Sequence, residues 1–192
     1  DMNLSLEDDI TSDEQELEEP DSINDLNAER TVYQQTQFYN RAKNVLVDPE
    51  PDPSEKAAAL VTLHRLWEEG YSAAAHQLGR AYRDGLGITA DHKAAVEWFQ
   101  KSAEAGNRCS AYALSKLLLE QEQILQALRW LRQAAEQNDQ YAQYRLGKLL
   151  LTGAEGVPKD IDAAIQLLKD SAGQGNQYAQ YMLGTVTYTH LR

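Results

Sequence analysis

Two stretches decide the fold: AAAHQLGRAYRDGLGITADHKAAVEWFQKSAEAGN (73–107) and YAQYRLGKLLLTGAEGVPKDIDAAIQLLKDSAGQGN (141–176). Between them lies a shorter relative, CSAYALSKLLLEQEQILQALRWLRQAAEQND (109–139), and a fourth start follows as YAQYMLGTVTYTHLR (178–192). Aligned, they share columns. Leu78, Leu114, Leu146 and Leu183 hold one position at steps of 36, 32 and 37 residues. The next position holds Gly79, Ser115, Gly147 and Gly184, a third holds Trp98, Trp130 and Leu167, and a fourth Ala103, Ala135 and Ala172. Recurrence at this period marks stacked supersecondary units that bury their apolar faces on one another.

Each unit reads as two helices. In the first, helix A, the small residue after leucine removes a side chain and lets a neighbouring helix approach. Gly85 and Gly153 are placed to end helix A in the left-handed conformation. Asp91 and Asp160 are placed to cap the free amides of helix B. Ala95, Val96, Phe99 and Ala103 then recur at helical spacing, and Gly106 and Gly175 close helix B. The second unit lacks the glycine loop and puts Gln123 where the aspartates stand, so its turn should be the less well capped.

These residues carry a family resemblance. LGRAYRDGLGITADHKAAVEWFQKSAEAGN and its counterpart in 141–176 resemble the Sel-1-like repeat: Leu-Gly, a tyrosine three residues on (kept as Tyr82, replaced by Leu118 and Leu150), a glycine loop, an Asp, then Lys-Ala with a spaced tryptophan. The resemblance implies an all-α, right-handed α-solenoid of helix-turn-helix, tetratricopeptide-like repeats that acts as an adaptor between proteins. The spelling QYAQYRLGKLL and GNQYAQYMLG is also similar to arrays attached to relaxases of bacterial mobile elements. That implies a second context, an accessory region of a larger bacterial enzyme. A third reading is an oligomerisation spacer.

Charge separates the ends of the chain. The net charge is −12, and residues 1–30 hold twelve Asp/Glu against one Arg. The remainder carries 18 acidic and 17 basic side chains, so the acidity belongs to a tail. Residues 1–27 hold no aromatic residue and too few aliphatics to offset backbone ordering, and they read as an acidic disordered tail. A helix is expected over 28–47, with Val32, Tyr39, Ala42 and Leu46 on one stripe, then a Pro-rich linker at 48–53. The solenoid is expected over 54–192: a cap helix at 54–69, repeats at about 72–106, 108–138 and 140–175, and a partial unit at 177–192.

The residues exclude several chemistries. His64, His76, His92 and His190 form neither an i, i+4 pair nor a Cys/His cluster, so no metal is expected. Cys109 is the only cysteine, which rules out an internal disulfide. The loops GLGI and GAEGV lack the lysine and hydroxyl of a phosphate cradle. No catalytic residue and no cofactor is expected. An excess of negative charge and scattered basic residues argue against direct nucleic-acid binding. No apolar run reaches membrane-spanning length and no signal segment is visible, which points to a cytoplasmic chain. The chain begins on Asp1 and stops inside a repeat, and so reads as a piece of a longer polypeptide.

Protein binding remains. The helix-A positions turned away from the leucine column should line the concave side, and Gln77, Arg80, Lys116, Tyr141, Arg145, Lys148, Tyr178 and Met182 are the expected contacts. They suit an acidic peptide or protein. The acidic residues 1–30 are a candidate intramolecular ligand for the same groove.

Overall fold

The computed structural model describes residues 23–190. Nine helices occur among the described residues: α1 (Ile23–Val47), α2 (Pro53–Glu68), α3 (Ala73–Asp84), α4 (His92–Glu104), α5 (Arg108–Glu120), α6 (Ile124–Glu136), α7 (Gln140–Thr152), α8 (Ile161–Gly173) and α9 (Gln177–His190). Each helix packs on the next along the chain, as a one-dimensional stack requires, and the described residues contain no strand. This is an all-α repeat solenoid. Helix α1 starts at Ile23, so residues 23–27, read from sequence as tail, are helical; residues 1–22 lie outside the described residues.

The helices start where short polar side chains can take up free amides. Asp91 and Asp160 accept from the amides of Ala94 and Ala163, each at 3.1 Å. Gln123 caps nothing with its side chain, and the turn before it bends through Glu122 at φ 59°, a conformation costly without glycine. The helix-A starts have a cap column of their own. Asn107, Asp139 and Asn176 accept from Ser110, Ala142 and Ala179 at 2.8, 2.8 and 3.0 Å.

Packing between helices A and B explains the small column. A Cβ on Gly79 would lie 2.6–2.9 Å from the Phe99 ring, and one on Gly147 would lie 3.0 Å from Leu168 Cγ. Ser115 fits the same place by turning its hydroxyl back to the Tyr112 carbonyl at 2.6 Å. Gly184 differs: nothing stands within 4 Å of its would-be Cβ, so it is not at a helix contact among the described residues. Between repeats, Gln137 donates to the Gly106 carbonyl at 2.9 Å and Gln174 to the equivalent Asn138 carbonyl at 3.1 Å. Each clasp satisfies a carbonyl at the end of the preceding helix B.

The helix expected as an isolated cap, α2, is not isolated. It forms a hairpin with α1, and Tyr39, Ala42 and Leu46 are buried against Ala59, Leu60, Leu63 and Leu66. This hairpin follows the repeat columns. Tyr39 and Ala42 stand 37 residues before His76 and Gly79; Ala59 and Leu63 stand 36 before Ala95 and Phe99. Its outward side is changed. Arg41 takes the place of Leu78 and Thr62 that of Trp98, residues that in the next unit face back onto α1 and α2. Arg41 and Thr62 there stand beside apolar residues, Phe38, Val45 and Ala58.

Candidate functional site

Successive A helices are tied side by side by polar and aromatic contacts along one face. From α3 to α1, Gln77 Nε2 donates to Tyr39 Oη at 3.0 Å. From α7 to α5, Arg145 Nε donates to Tyr112 Oη at 3.0 Å, the same contact two repeats on. Tyr112 and Tyr141 stack at 5.9 Å, and Tyr144 meets Tyr178 at 5.8 Å. Lys116 Nζ lies 4.6 Å above the Tyr112 ring, where the π face attracts a cation.

The expected contact residues divide in two. Lys116, Tyr141, Arg145 and Met182 are half-buried, and Lys148 and Tyr178 are exposed, on α5, α7 and α9. Gln77 and Arg80, by contrast, are only 5% and 8% exposed. They were expected on an open groove, but α1 packs beside α3 and covers that end, and Arg80 donates to Gln77 Oε1 at 3.3 Å. Sequence columns show which way a side chain turns, not which neighbour arrives over it. Lys43 was missed altogether. It follows Ala42 as Arg80 follows Gly79, and the 37-residue step from Tyr39 to His76 was the available signal.

His76 and Ser110 sit beside this face. His76 Nδ1 is 2.6 Å from Ser110 Oγ, and the chain continues to Ser102 Oγ at 2.6 Å. A His–Ser pair is the chemistry of nucleophilic catalysis, but Ser110 and Ser102 are 0% exposed, out of a substrate's reach. Their role is to satisfy one another. Burial, and then the charges of Arg80, Arg83 and Lys43, hold the His76 pKa down at about 3, against 6.5 for the free side chain. Because the folded value lies below the unfolded one, this group's contribution is intact above pH 6.5 and is lost as pH falls. At pH 5 the loss should reach about 2 kcal/mol. Urea melts at pH 7 and pH 5 should show it, and His76→Gln should shrink the difference. Among the described residues, no group of three His, Cys, Asp or Glu side chains gathers as a metal would require.

The Sel1 repeat model matches residues 72–107, 110–139, 140–176 and 177–192. The chain belongs to the Sel1 repeat family. A solved bacterial structure, the protective antigen c5321 of uropathogenic Escherichia coli, described as displaying an SLR fold, matches with a TM-score of 0.70 and 28% identity over 87% of this chain and 36% of that one. A Sel1 repeat protein from Oxalobacter formigenes matches with a TM-score of 0.64 and 25% identity over 80% of this chain and 60% of that one. The chain thus spans less than two thirds of either structure's length. No curated protein matches it. Sel1 repeats generally serve as scaffolds that bind proteins. No helix among the described residues is long and apolar enough to cross a membrane.

Proposed function

We propose that this Sel1 array is a non-catalytic scaffold that binds an acidic peptide or protein segment across the A helices, on Lys116, Tyr141, Arg145, Lys148, Tyr178 and Met182. The observation that carries the reading is one of charge. Solvent-reaching positions of the helix-A columns, Lys116, Lys148, Thr185, Arg145, Met182, Tyr141 and Tyr178, hold three cations and no Asp or Glu. A face that carries cations and no carboxylate favours an anionic partner, and its tyrosines add flat contact area.

Lys148 is the discriminating residue because it is exposed. Lys148→Glu should change stability by no more than about 0.5 kcal/mol. It should weaken binding of a fluorescent acidic peptide roughly two- to fivefold at low salt. An unfolded variant, or unchanged affinity, would refute the assignment of this face.

The acidic N-terminal residues are a candidate occupant in cis, and α1 limits them. From Ile23 to Lys43 the helix runs roughly 30 Å. Returning over that distance takes about nine extended residues at roughly 3.4 Å each, which leaves about residues 1–13 to lie on the face. Deleting residues 1–22 should then shift the NMR signals of Lys116 and Lys148; unmoved signals reject the contact. The stacking-spacer reading draws on α9, where Tyr181 is 78% exposed and Gly184 is open. Light scattering on the eluting protein separates a monomer from a stacked dimer.

A further inference from the structure

The junctions between successive B helices differ in what fills them. Between α2 and α4, Trp98 stands edge-on to Trp67 at 6.0 Å and to His64 at 5.1 Å. On α6, Trp130 holds the same column as Trp98 and is buried, at 5% exposure. Between α6 and α8 none of these rings remains. Leu167 stands in the column of Trp98, Ala135 in that of Trp67 and Arg132 in that of His64. A cavity of about 530 Å³ opens there, lined by these three residues together with Leu146 and Leu150 of α7. Its rim is polar: Arg132 and Glu136 are exposed, and Asp160 is engaged in capping α8.

We propose that this cavity is a socket for a tryptophan side chain of a partner protein, which restores the indole that the column lacks on α8. Two observations select this occupant. The first is the sister junction, where an indole occupies the corresponding position against α2. The second is charge. Each indole of the column carries a cation over its ring, Lys101 Nζ at 4.1 Å on Trp98 and Arg129 Cζ at 4.8 Å on Trp130. The electron-rich ring face attracts that charge. Arg132 is placed at the cavity to do the same for an incoming ring. The apolar surface then runs on past the cavity. Leu125 is 61% exposed, and its Cδ2 lies 3.2 Å from where a Cβ on Gly156, at the cavity edge, would stand. A small aromatic molecule would leave Leu125 in water, whereas a protein segment covers it around a tryptophan anchor. The site lies at the B helices, so it stands independently of the helix-A face.

The test uses the full chain with labelled methyl groups, titrated by NMR with the neutral peptide acetyl-Leu-Ser-Trp-Ser-Leu-amide. The methyl signals of Leu128, Leu150 and Leu167 should shift under the indole ring current, and the same peptide with alanine for tryptophan should leave them in place. Arg132→Gln should weaken binding roughly two- to fivefold, the loss of one exposed cation–π contact. Leu167→Trp should fill the cavity from within, keeping the circular dichroism spectrum while cutting peptide affinity by about tenfold or more. Unmoved leucines, equal shifts with the alanine peptide, or undiminished binding to Leu167→Trp would each overturn the socket. Should Leu167→Trp not fold, Arg132→Gln decides, and unchanged affinity there rejects the proposal. Shifts of the same methyls on raising the protein concentration alone would assign the cavity to a second copy. N-acetyltryptophanamide binding as tightly as the peptide would assign it to a small molecule. Both results overturn the protein partner.

Discussion

Phe99→Ala is expected to destabilise the array by about 3–5 kcal/mol, the cost of truncating a fully buried aromatic ring. The ring is 0% exposed, lies against the backbone of Gly79, and has the α3 side chains His76 at 5.6 Å and Arg83 over its face at 5.5 Å, both of which would lose that contact. Ala95 and Ala103, one turn away on either side along α4, are too short to fill the space. Trp98, one residue earlier, should cost less despite its size. It is half-exposed, lies edge-on to Trp67 at 6.0 Å and to His64 at 5.1 Å, and carries Lys101 over its ring. Urea unfolding of both variants followed by far-ultraviolet circular dichroism measures the difference. A Phe99→Ala loss below that of Trp98→Ala would contradict the packing of α3 on α4.

Leu63→Ala should cost about 2–5 kcal/mol, because Leu63 is 0% exposed at the centre of the α1–α2 hairpin. It is the equivalent of Phe99, Leu131 and Leu168, all likewise at 0%. In a stack whose units touch only their neighbours, the damage should be local first. Amide exchange should quicken in α1 and α2, then in α3 through Leu78 and Ala81, and last in α7 and α8. A loss under about 0.5 kcal/mol, the range of surface changes, would mean that the hairpin is an appendage and not a unit of the array.

Much of this was legible in the residues because a repeat states its contacts several times over. The Leu78 column, the small residues beside it, and the caps Asp91 and Asp160 are local or periodic features, and the weak cap at Gln123 followed from a single missing carboxylate. The α1–α2 hairpin escaped for a physical reason. It replaces the leucine and tryptophan columns, the marks by which a repeat is recognised, with Arg41 and Thr62. Its loop is built on proline instead of glycine, and Asp52 does the capping, accepting from the Glu55 amide at 2.9 Å. The same omission misplaced Gln77 and Arg80, since without α1 alongside, their face of α3 reads as open. The column of Gly184 points to a contact, but a column cannot say whether the partner helix is present.

One titration tests the central claim most directly: two-dimensional NMR of the labelled chain with a glutamate-rich peptide at low ionic strength. The account predicts shifts confined to the helix-A face, at Lys116, Arg145 and Lys148, that fade as salt is raised. Shifts gathered on the outer faces of α4, α6 and α8, or a spectrum that the peptide leaves unchanged, would contradict it.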